Sequence, residues 1–272
     1  MKRVLLMTVH FRNAAEVGAF AANAAALQVP EGWRVDVAVV DNSGGLPPHP
    51  GVSIYPAPAN LGYLGGAALG LDRWRAEQHG EVPEWVGIVN PDVALAGDAI
   101  AALLTAGLPE SVAIVAPSVL LGGTIPQNPF LQRRPSSFRM WLYTVVFRSA
   151  LLTLLLDLLL SLKRFRARRR SAGGPRPIYA AHGSAVLIRR SFFERGGTLS
   201  YRGFMYGEEI HLAEQVRSMG GTVMYMPSIA AVHRGSSSTS AVRFSKRRQW
   251  HLQSAQALWS DYFRSRPPGG NR

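Results

Sequence analysis

The sequence predicts a layered α/β fold with a largely parallel sheet. Two observations carry this. Short β-branched runs alternate with Ala- and Leu-rich stretches of helical length. The composition, 47% hydrophobic with 17% charged residues, is that of a globular chain.

Taken in order, residues 4–9 form the first candidate strand. The apolar run there is too short for a signal peptide and lacks a small-residue cleavage site, so the expected compartment is the cytoplasm. A helix over 14–27 leads to a strand at 35–40 that ends in Asp41-Asn42-Ser43-Gly44. A strand at 52–55 runs into the Gly-rich stretch 60–70, which opens a helix over 65–78. The strand Trp85–Val89 ends in Asn90-Pro91-Asp92, and another follows at 112–116. Ligands in open α/β sheets sit beyond the carboxyl ends of strands, so these polar turns are the first candidates for a site. The second half holds an apolar stretch at 140–162, a strand at Ala185–Arg189, a Gly/aromatic stretch at 203–207 and a helix over 208–219. A strand at 223–226, a polar loop at 233–240 and a basic helix over 243–263 complete it. No repeat or long linker divides the chain. The expected organisation is one catalytic domain over 1–240, with halves 1–116 and 117–240 and a helix inserted at 140–170. A basic helix and tail over 241–272 follows.

The chain of 272 residues has no cysteine, which excludes a disulfide framework, thiolate zinc sites and a cysteine nucleophile. Any metal must be held by oxygen and imidazole. Thirty Lys and Arg against 17 Asp and Glu leave a net charge of +13. That excess points to nucleic acid, a membrane surface or a phosphate-bearing substrate. Basic residues interleaved with aromatics would mark a nucleic-acid-binding protein without catalytic activity, the alternative class, but no such pattern stands out and no nucleic acid is expected as partner.

Glycines at the start of a helix let backbone N–H groups approach a phosphate; they also allow a tight turn and close helix–sheet packing. The first strand ends in His10-Phe11-Arg12-Asn13 without a glycine, against a dinucleotide-binding enzyme. Asp92 can hold a divalent cation against a diphosphate, although Asn-Pro-Asp is also an ordinary turn. Glu208 and Glu209 complement a helix dipole or supply a general base, and they point about 100° apart on the helix. His211 and Glu214 have metal-like spacing, but nothing near them in sequence completes a ligand set, which favours a structural role.

Six segments in order resemble the family-two inverting glycosyltransferases of the GT-A fold, in their bacterial rhamnosyltransferase-like branch. They are Val-Val-Asp-Asn-Ser-Gly (39–44), Asn-Leu-Gly-Tyr-Leu-Gly-Gly (60–66), Val-Asn-Pro-Asp (89–92), His-Gly-Ser-Ala-Val-Leu (182–187), Phe-Met-Tyr-Gly-Glu-Glu-Ile (204–210) and Val-His-Arg-Gly-Ser-Ser (232–237). The resemblance implies a Rossmann-like nucleotide-binding sheet with helices on both faces. It implies Glu209 as catalytic base with Glu208 beside it, and Asp92 and His233 at a Mg²⁺ or Mn²⁺ ion. His10, Phe11, Asp41, Asn42, Asn60, Gly62, Gly65, Gly66 and Asn90 would bind the nucleotide sugar, and His182, Gly183 and Ser184 would face the acceptor. The implied donor is dTDP-rhamnose or a related dTDP-hexose, then a UDP-sugar. The implied acceptor is a hydroxyl, such as one on a lipid-linked glycan in cell-envelope polysaccharide or glycolipid synthesis. Three positions depart from the family pattern. Asn90 replaces an acid, the base is Glu rather than Asp, and His211 and Gln215 replace an Asp and an Arg.

Residues 151–162 contain nine leucines, interrupted by Thr153, Asp157 and Ser161, and six of the eight residues 163–170 are basic. The polar positions recur every fourth residue, one narrow stripe on a helix. The pattern predicts a helix lying in an anionic membrane interface at the inner face of the cell membrane. The alternative is a helix that buries its leucines against the catalytic core or a second subunit.

Overall fold

The computed structural model describes residues 1–167, 173–235 and 242–264, with side chains described outside 161–167. In chain order it comprises β1 (Lys2–His10), α1 (Ala14–Ala25), β2 (Trp33–Asp41), β3 (Val52–Pro56), α2 (Gly62–Glu77), β4 (Trp85–Val89), β5 (Val93–Leu95) and α3 (Ala99–Thr105). There follow β6 (Val112–Leu121), β7 (Ile125–Pro126), α4 (Ser137–Val146), α5 (Ala150–Ala167), β8 (Arg176–Ile178), β9 (Ala185–Arg189) and α6 (Arg190–Glu194). The chain ends in α7 (Glu208–Ser218), β10 (Thr222–His233), α8 (Phe244–Leu258) and a π-helical turn, Trp259–Phe263.

One sheet of ten strands runs β3-β2-β1-β4-β9-β6-β10-β5, with β7 beside β6 and β8 beside β10. The expectation of a largely parallel sheet holds for β3, β2, β1 and β4 and for the pair β6 and β10. Beyond β4 the sheet is mixed, because β9 enters antiparallel between β4 and β6. A β-branched run gives no signal of strand direction, and the long excursion through α4 and α5 lets the chain re-enter the sheet reversed. The reversal matters for the site: pairing Val89 with Ala185 brings the residues before β9 against the end of β4.

The alternation of β1 splits the core into two layers. Leu5 and Met7 pack with Val40, Leu71 and Trp74 under α2. Val4 and Leu6 pack with Phe20, Ile100 and Leu103 under α1 and α3. Full burial of each such side chain stabilises the fold by about 1.5–3 kcal/mol. Helix α2 lies close on the sheet because Gly70 has no side chain: a Cβ there would stand 2.3 Å from the Met7 sulfur.

The expected single helix at 140–170 is two helices. Ser136 caps α4, accepting from the Arg139 N–H at 3.2 Å, and the chain breaks between Val146 and Ala150. Helix α5 is amphipathic as expected, but its polar stripe faces inward, so the alternative of leucines packed on the catalytic core is overturned. Thr153 is buried, while Leu151, Leu154 and Leu158 are exposed. Among the described residues no helix is long and apolar enough to cross a membrane. The last part of the basic run, 168–170, and parts of the polar loop (236–240) and of the C-terminal tail (265–272) lie outside the described residues. Helix α8 is not merely a surface helix: Ser254, Ala255 and Leu258 are buried, and Leu258 joins Met140 and Phe263 in a small third core.

Candidate active site

The ends of β1, β2 and β4 and the starts of α2, β9 and α7 converge on one edge of the sheet. His10 is buried at the end of β1, with Nδ1 2.9 Å from Asn13 Oδ1 and Nε2 3.1 Å from Ser43 Oγ. The Phe11 ring follows, with the Arg12 guanidinium 5.1 Å above it. Asp41 turns its carboxylate into its own loop. It accepts from the N–H groups of Ser43 at 3.0 Å, Gly44 at 2.8 Å and Leu46 at 2.9 Å. These bonds hold its pKa below the usual carboxylate value despite burial. Asp41 thus shapes the loop beside the site.

Asn42 ties that loop to the Gly-rich one. Its amide donates to Gly62 O at 3.0 Å, and its Oδ1 accepts from Leu61 N–H at 3.4 Å. Asn60 Oδ1 accepts from Gly62 N–H at 3.0 Å, closing the turn into α2. Gly62 has φ +75° and lies under Phe204, whose carbonyl oxygen would stand 2.0 Å from a Cβ. That position tolerates only glycine. A Cβ on Gly66 would meet Val9 Cγ1 at 2.7 Å, so this glycine serves helix–sheet packing. Gly65 has a single neighbour, Leu61 Cβ at 3.3 Å.

The segment His182–Gly183–Ser184 is the hub. Ser184 O accepts from Asn90 N–H at 2.8 Å. Gly183 O accepts from the Tyr63 hydroxyl at 2.7 Å, and Gly183 N–H donates to Glu209 Oε1 at 3.3 Å. His182 N–H donates to Asn128 Oδ1 at 2.8 Å, and the His182 ring lies 2.9 Å from Ser184 Oγ. Ser184 Oγ in turn donates to Gln127 Oε1 at 3.2 Å.

The same Gln127 oxygen stands 2.7 Å from His233 Nδ1, and His233 Nε2 stands 3.1 Å from Asp92 Oδ2. An amide oxygen only accepts, so His233 Nδ1 carries the proton of that pair. Nε2 then faces a carboxylate oxygen of Asp92. An imidazole fixed through Nδ1, with Nε2 turned to a carboxylate, suits a metal ligand. Strand β5 sets the distance, since Val93 pairs directly with His233. Among the described residues no cluster of three or more His, Asp or Glu could hold a metal by itself. A cation here would therefore need oxygen ligands from a substrate. Glu16 lies nearby; burial raises its pKa, and Asp92 adds to the rise.

Glu208 and Glu209 open α7 after Tyr206 and Gly207, whose φ values are +70° and +82°. Tyr206 O is held by the Tyr201 hydroxyl at 3.0 Å and by Ser254 Oγ at 2.5 Å. Burial raises both carboxyl pKa values. Glu208 is raised further by the charge of Glu209, and its buried Oε2 has no hydrogen-bond partner. Glu209 is favoured in its ionised form by the Gly183 N–H. The two carboxyls are therefore unequal: Glu208 is pushed up to about 8, while the Gly183 N–H opposes the rise at Glu209.

His211 and Glu214 do not form a metal pair. Glu214 accepts from Arg134 Nε at 2.7 Å and the Tyr179 hydroxyl at 2.6 Å, and His211 bonds Gln215 and Tyr262. Tyr63, Gln127 and Asn128 were not legible as site residues. Gln127 and Asn128 return on a hairpin turned at Gly122-Gly123, and that Gly-Gly pair is the one sequence signal near them.

No family model matches the chain. It is 28% identical over 215 residues to N-acetylglucosaminyl-diphospho-decaprenol L-rhamnosyltransferase of Mycobacterium tuberculosis, covering 70% of this chain and 61% of that protein. It is 26% identical over 200 residues to the low-salt glycan biosynthesis hexosyltransferase Agl10 of Haloferax volcanii, covering 72% and 57%. The chain thus spans about 60% of the length of these relatives. Two solved structures share the fold. GalNAc-T7 with UDP, GalNAc and Mn²⁺ has a TM-score of 0.55 at 13% identity, over 87% of this chain and 46% of the other. The Pyrobaculum calidifontis mannosyltransferase PcManGT, in complex with GDP-Man and Mn²⁺, has a TM-score of 0.50 at 14% identity, over 96% and 70%.

Proposed function

We propose that this chain, which has the GT-A fold and is a family-two-like glycosyltransferase, moves a sugar from a nucleoside diphosphate to a hydroxyl acceptor with inversion. The observation that carries this is a continuous run of contacts: Glu209 to Gly183, Ser184 to Gln127, Gln127 to His233, and His233 to Asp92. It joins a carboxylate base and a cation-binding pair across one short loop.

Glu209 takes the proton of the acceptor hydroxyl. The acceptor oxygen bonds to the anomeric carbon from the face opposite the diphosphate, and the carbon–oxygen bond to the diphosphate breaks with its electron pair leaving on the nucleotide. Attack from the opposite face inverts the configuration. Asp92 and His233 would hold a Mg²⁺ or Mn²⁺ ion together with diphosphate oxygens. When bound, that ion supplies positive charge to the leaving group. The donor binds over 1–116 and the acceptor over 117–240, where His182–Ser184 connect the two. A dTDP-hexose, dTDP-rhamnose first, is the proposed donor and a UDP-sugar the second. The names of the relatives support a hexose and a lipid-linked glycan acceptor; cell-envelope polysaccharide or glycolipid synthesis is the proposed setting.

A screen of nucleotide sugars for donor hydrolysis, with and without Mn²⁺, tests the reading. Release of a nucleoside diphosphate from one dTDP- or UDP-sugar, lost in E209Q, is expected. No turnover of any donor, with or without Mn²⁺, would overturn it.

A further inference from the structure

The proposed reaction leaves the outer face of α4 and α5 unused. There Leu151, Leu154, Leu155, Leu158 and Leu159 are between 47% and 66% exposed, and Phe138 is 68% exposed. At ~100° per residue, these five leucines of α5 span about 140° of the helix. Polar contacts on the opposite side keep this face outward. Thr153 is buried and donates to Ser149 O at 2.8 Å. Asp157 accepts from Arg247 at 2.9 Å, and Arg248 donates to the carbonyls of Phe147 at 2.7 Å and Arg148 at 2.9 Å. Rolling the leucines onto the core would break these contacts.

The charge around the apolar face has one sign. Asp157 is the only acid between residues 137 and 167, and it pairs with Arg247. Five basic residues share that stretch: Arg139, Arg148, Lys163, Arg164 and Arg166. Arg139 and Arg148 are exposed, as is Lys246 on α8. A second copy docked through the same face would bring these like charges together. An anionic bilayer would neutralise them, and α5 is not long and apolar enough to cross it.

We infer that α4 and α5 form a docking platform that lies in the plane of an anionic membrane, leucines in the acyl boundary and cations among the phosphate headgroups. The platform connects to the catalytic loop through stacked rings. Phe147 stacks on His251 at 5.0 Å between centroids, and His251 stacks on Tyr206 at 3.9 Å, two residues before Glu208. Docking would therefore hold the acceptor side of the site near the headgroups; this consequence rests on the proposed reaction, whereas the docking does not.

Flotation of the full chain with vesicles tests it, independent of activity. The wild type is expected to float with phosphatidylglycerol vesicles at low salt, and at least about tenfold less with phosphatidylcholine alone or at high salt. L155E/L158E should lose flotation yet keep the wild-type melting temperature. K163Q/R164Q/R166Q should weaken binding by about tenfold or more. Wild type that stays unbound at low salt overturns the inference. So does a dimer in solution that L155E/L158E splits while vesicle binding is unchanged.

Discussion

Asp92 Oδ2 and His233 Nε2 stand 3.1 Å apart although 141 residues separate them in the chain. The short strand β5 brings them together, because Val93 pairs with His233 as soon as the chain leaves Asp92. This facing pair makes the first prediction. Asp92→Ala should weaken binding of a nucleoside diphosphate in Mn²⁺ by at least about tenfold, with little change in its absence. Calorimetric titration with and without EDTA separates the two. Equal affinity of wild type and variant in Mn²⁺ would remove the cation from this pair.

Glu209 and Glu208 should respond unequally to loss of charge. Glu209→Gln keeps the shape and removes the proton acceptor, so transfer should fall by about 10²–10⁴-fold with donor binding intact. Glu208→Gln should cost far less, because that carboxyl already holds a proton. Single-turnover rates of the two variants check the assignment; similar losses in both would reverse or merge the roles.

The raised pKa of Glu208 also sets a pH dependence of stability. The folded protein binds this proton more tightly than the unfolded chain, so stability falls as pH rises above the ordinary glutamic acid value toward the raised one. In Glu208→Gln this loss is absent. Its melting temperature should gain on the wild type between about pH 5 and about pH 8. A constant difference across that range would contradict the raised value.

Glycines 62 and 65 have different tolerances. Gly62→Ala puts a Cβ 2.0 Å from Phe204 O at φ +75°, so it should lower the melting temperature by several degrees and weaken donor binding. Gly65→Ala meets only Leu61 Cβ at 3.3 Å and should be nearly silent. Thermal melts of both variants, with and without nucleotide, decide this; comparable losses would mean that close approach at Gly62 is not limiting.

Arg134 anchors the buried Glu214 to the C-terminal turn. It donates to both carboxylate oxygens and to Tyr262 O, with Phe263 4.2 Å from its guanidinium. Arg134→Met should cost about 2–3 kcal/mol, the penalty being limited by Arg217 and Tyr179, which still face Glu214. The Glu214 pKa is lowered in the fold, so this stability is present above the ordinary glutamate value and is lost as pH falls through the lowered one. Denaturant unfolding should show the variant losing less than the wild type on acidification.

Much of the first half of the fold was legible in the sequence. Trp85–Val89 and Ala185–Arg189 coincide with their predicted bounds, because apolar runs ending in polar turns are local signals, whereas the strand expected at 223–226 extends to Thr222–His233 and the short strands β5, β7 and β8 were not predicted. The six ordered segments marked the edge where His10, Asn42, Asn90, Asp92, His182, Glu209 and His233 gather. Some placements were not legible. Asp41 is bonded into its loop, and Gly66 serves packing. Gln127 carries no signature of its own and became a site residue only when a hairpin delivered it to His233.

By itself the sequence determined most of the longer strands and helices, the polar turns at the strand ends, and that α5 has a polar stripe. Periodicity and turn chemistry are properties of neighbouring residues, and they survive without knowledge of the fold. The tertiary structure decided direction and facing. It set β9 antiparallel, bringing Gly183 to Glu209 and Ser184 to Asn90, and it buried Thr153 of the polar stripe of α5 while Asp157 paired with Arg247. Both depend on contacts between residues far apart in the chain. A helix with one polar and one apolar face can bury either; here Thr153 is buried, Asp157 pairs with Arg247, and the leucines face outward.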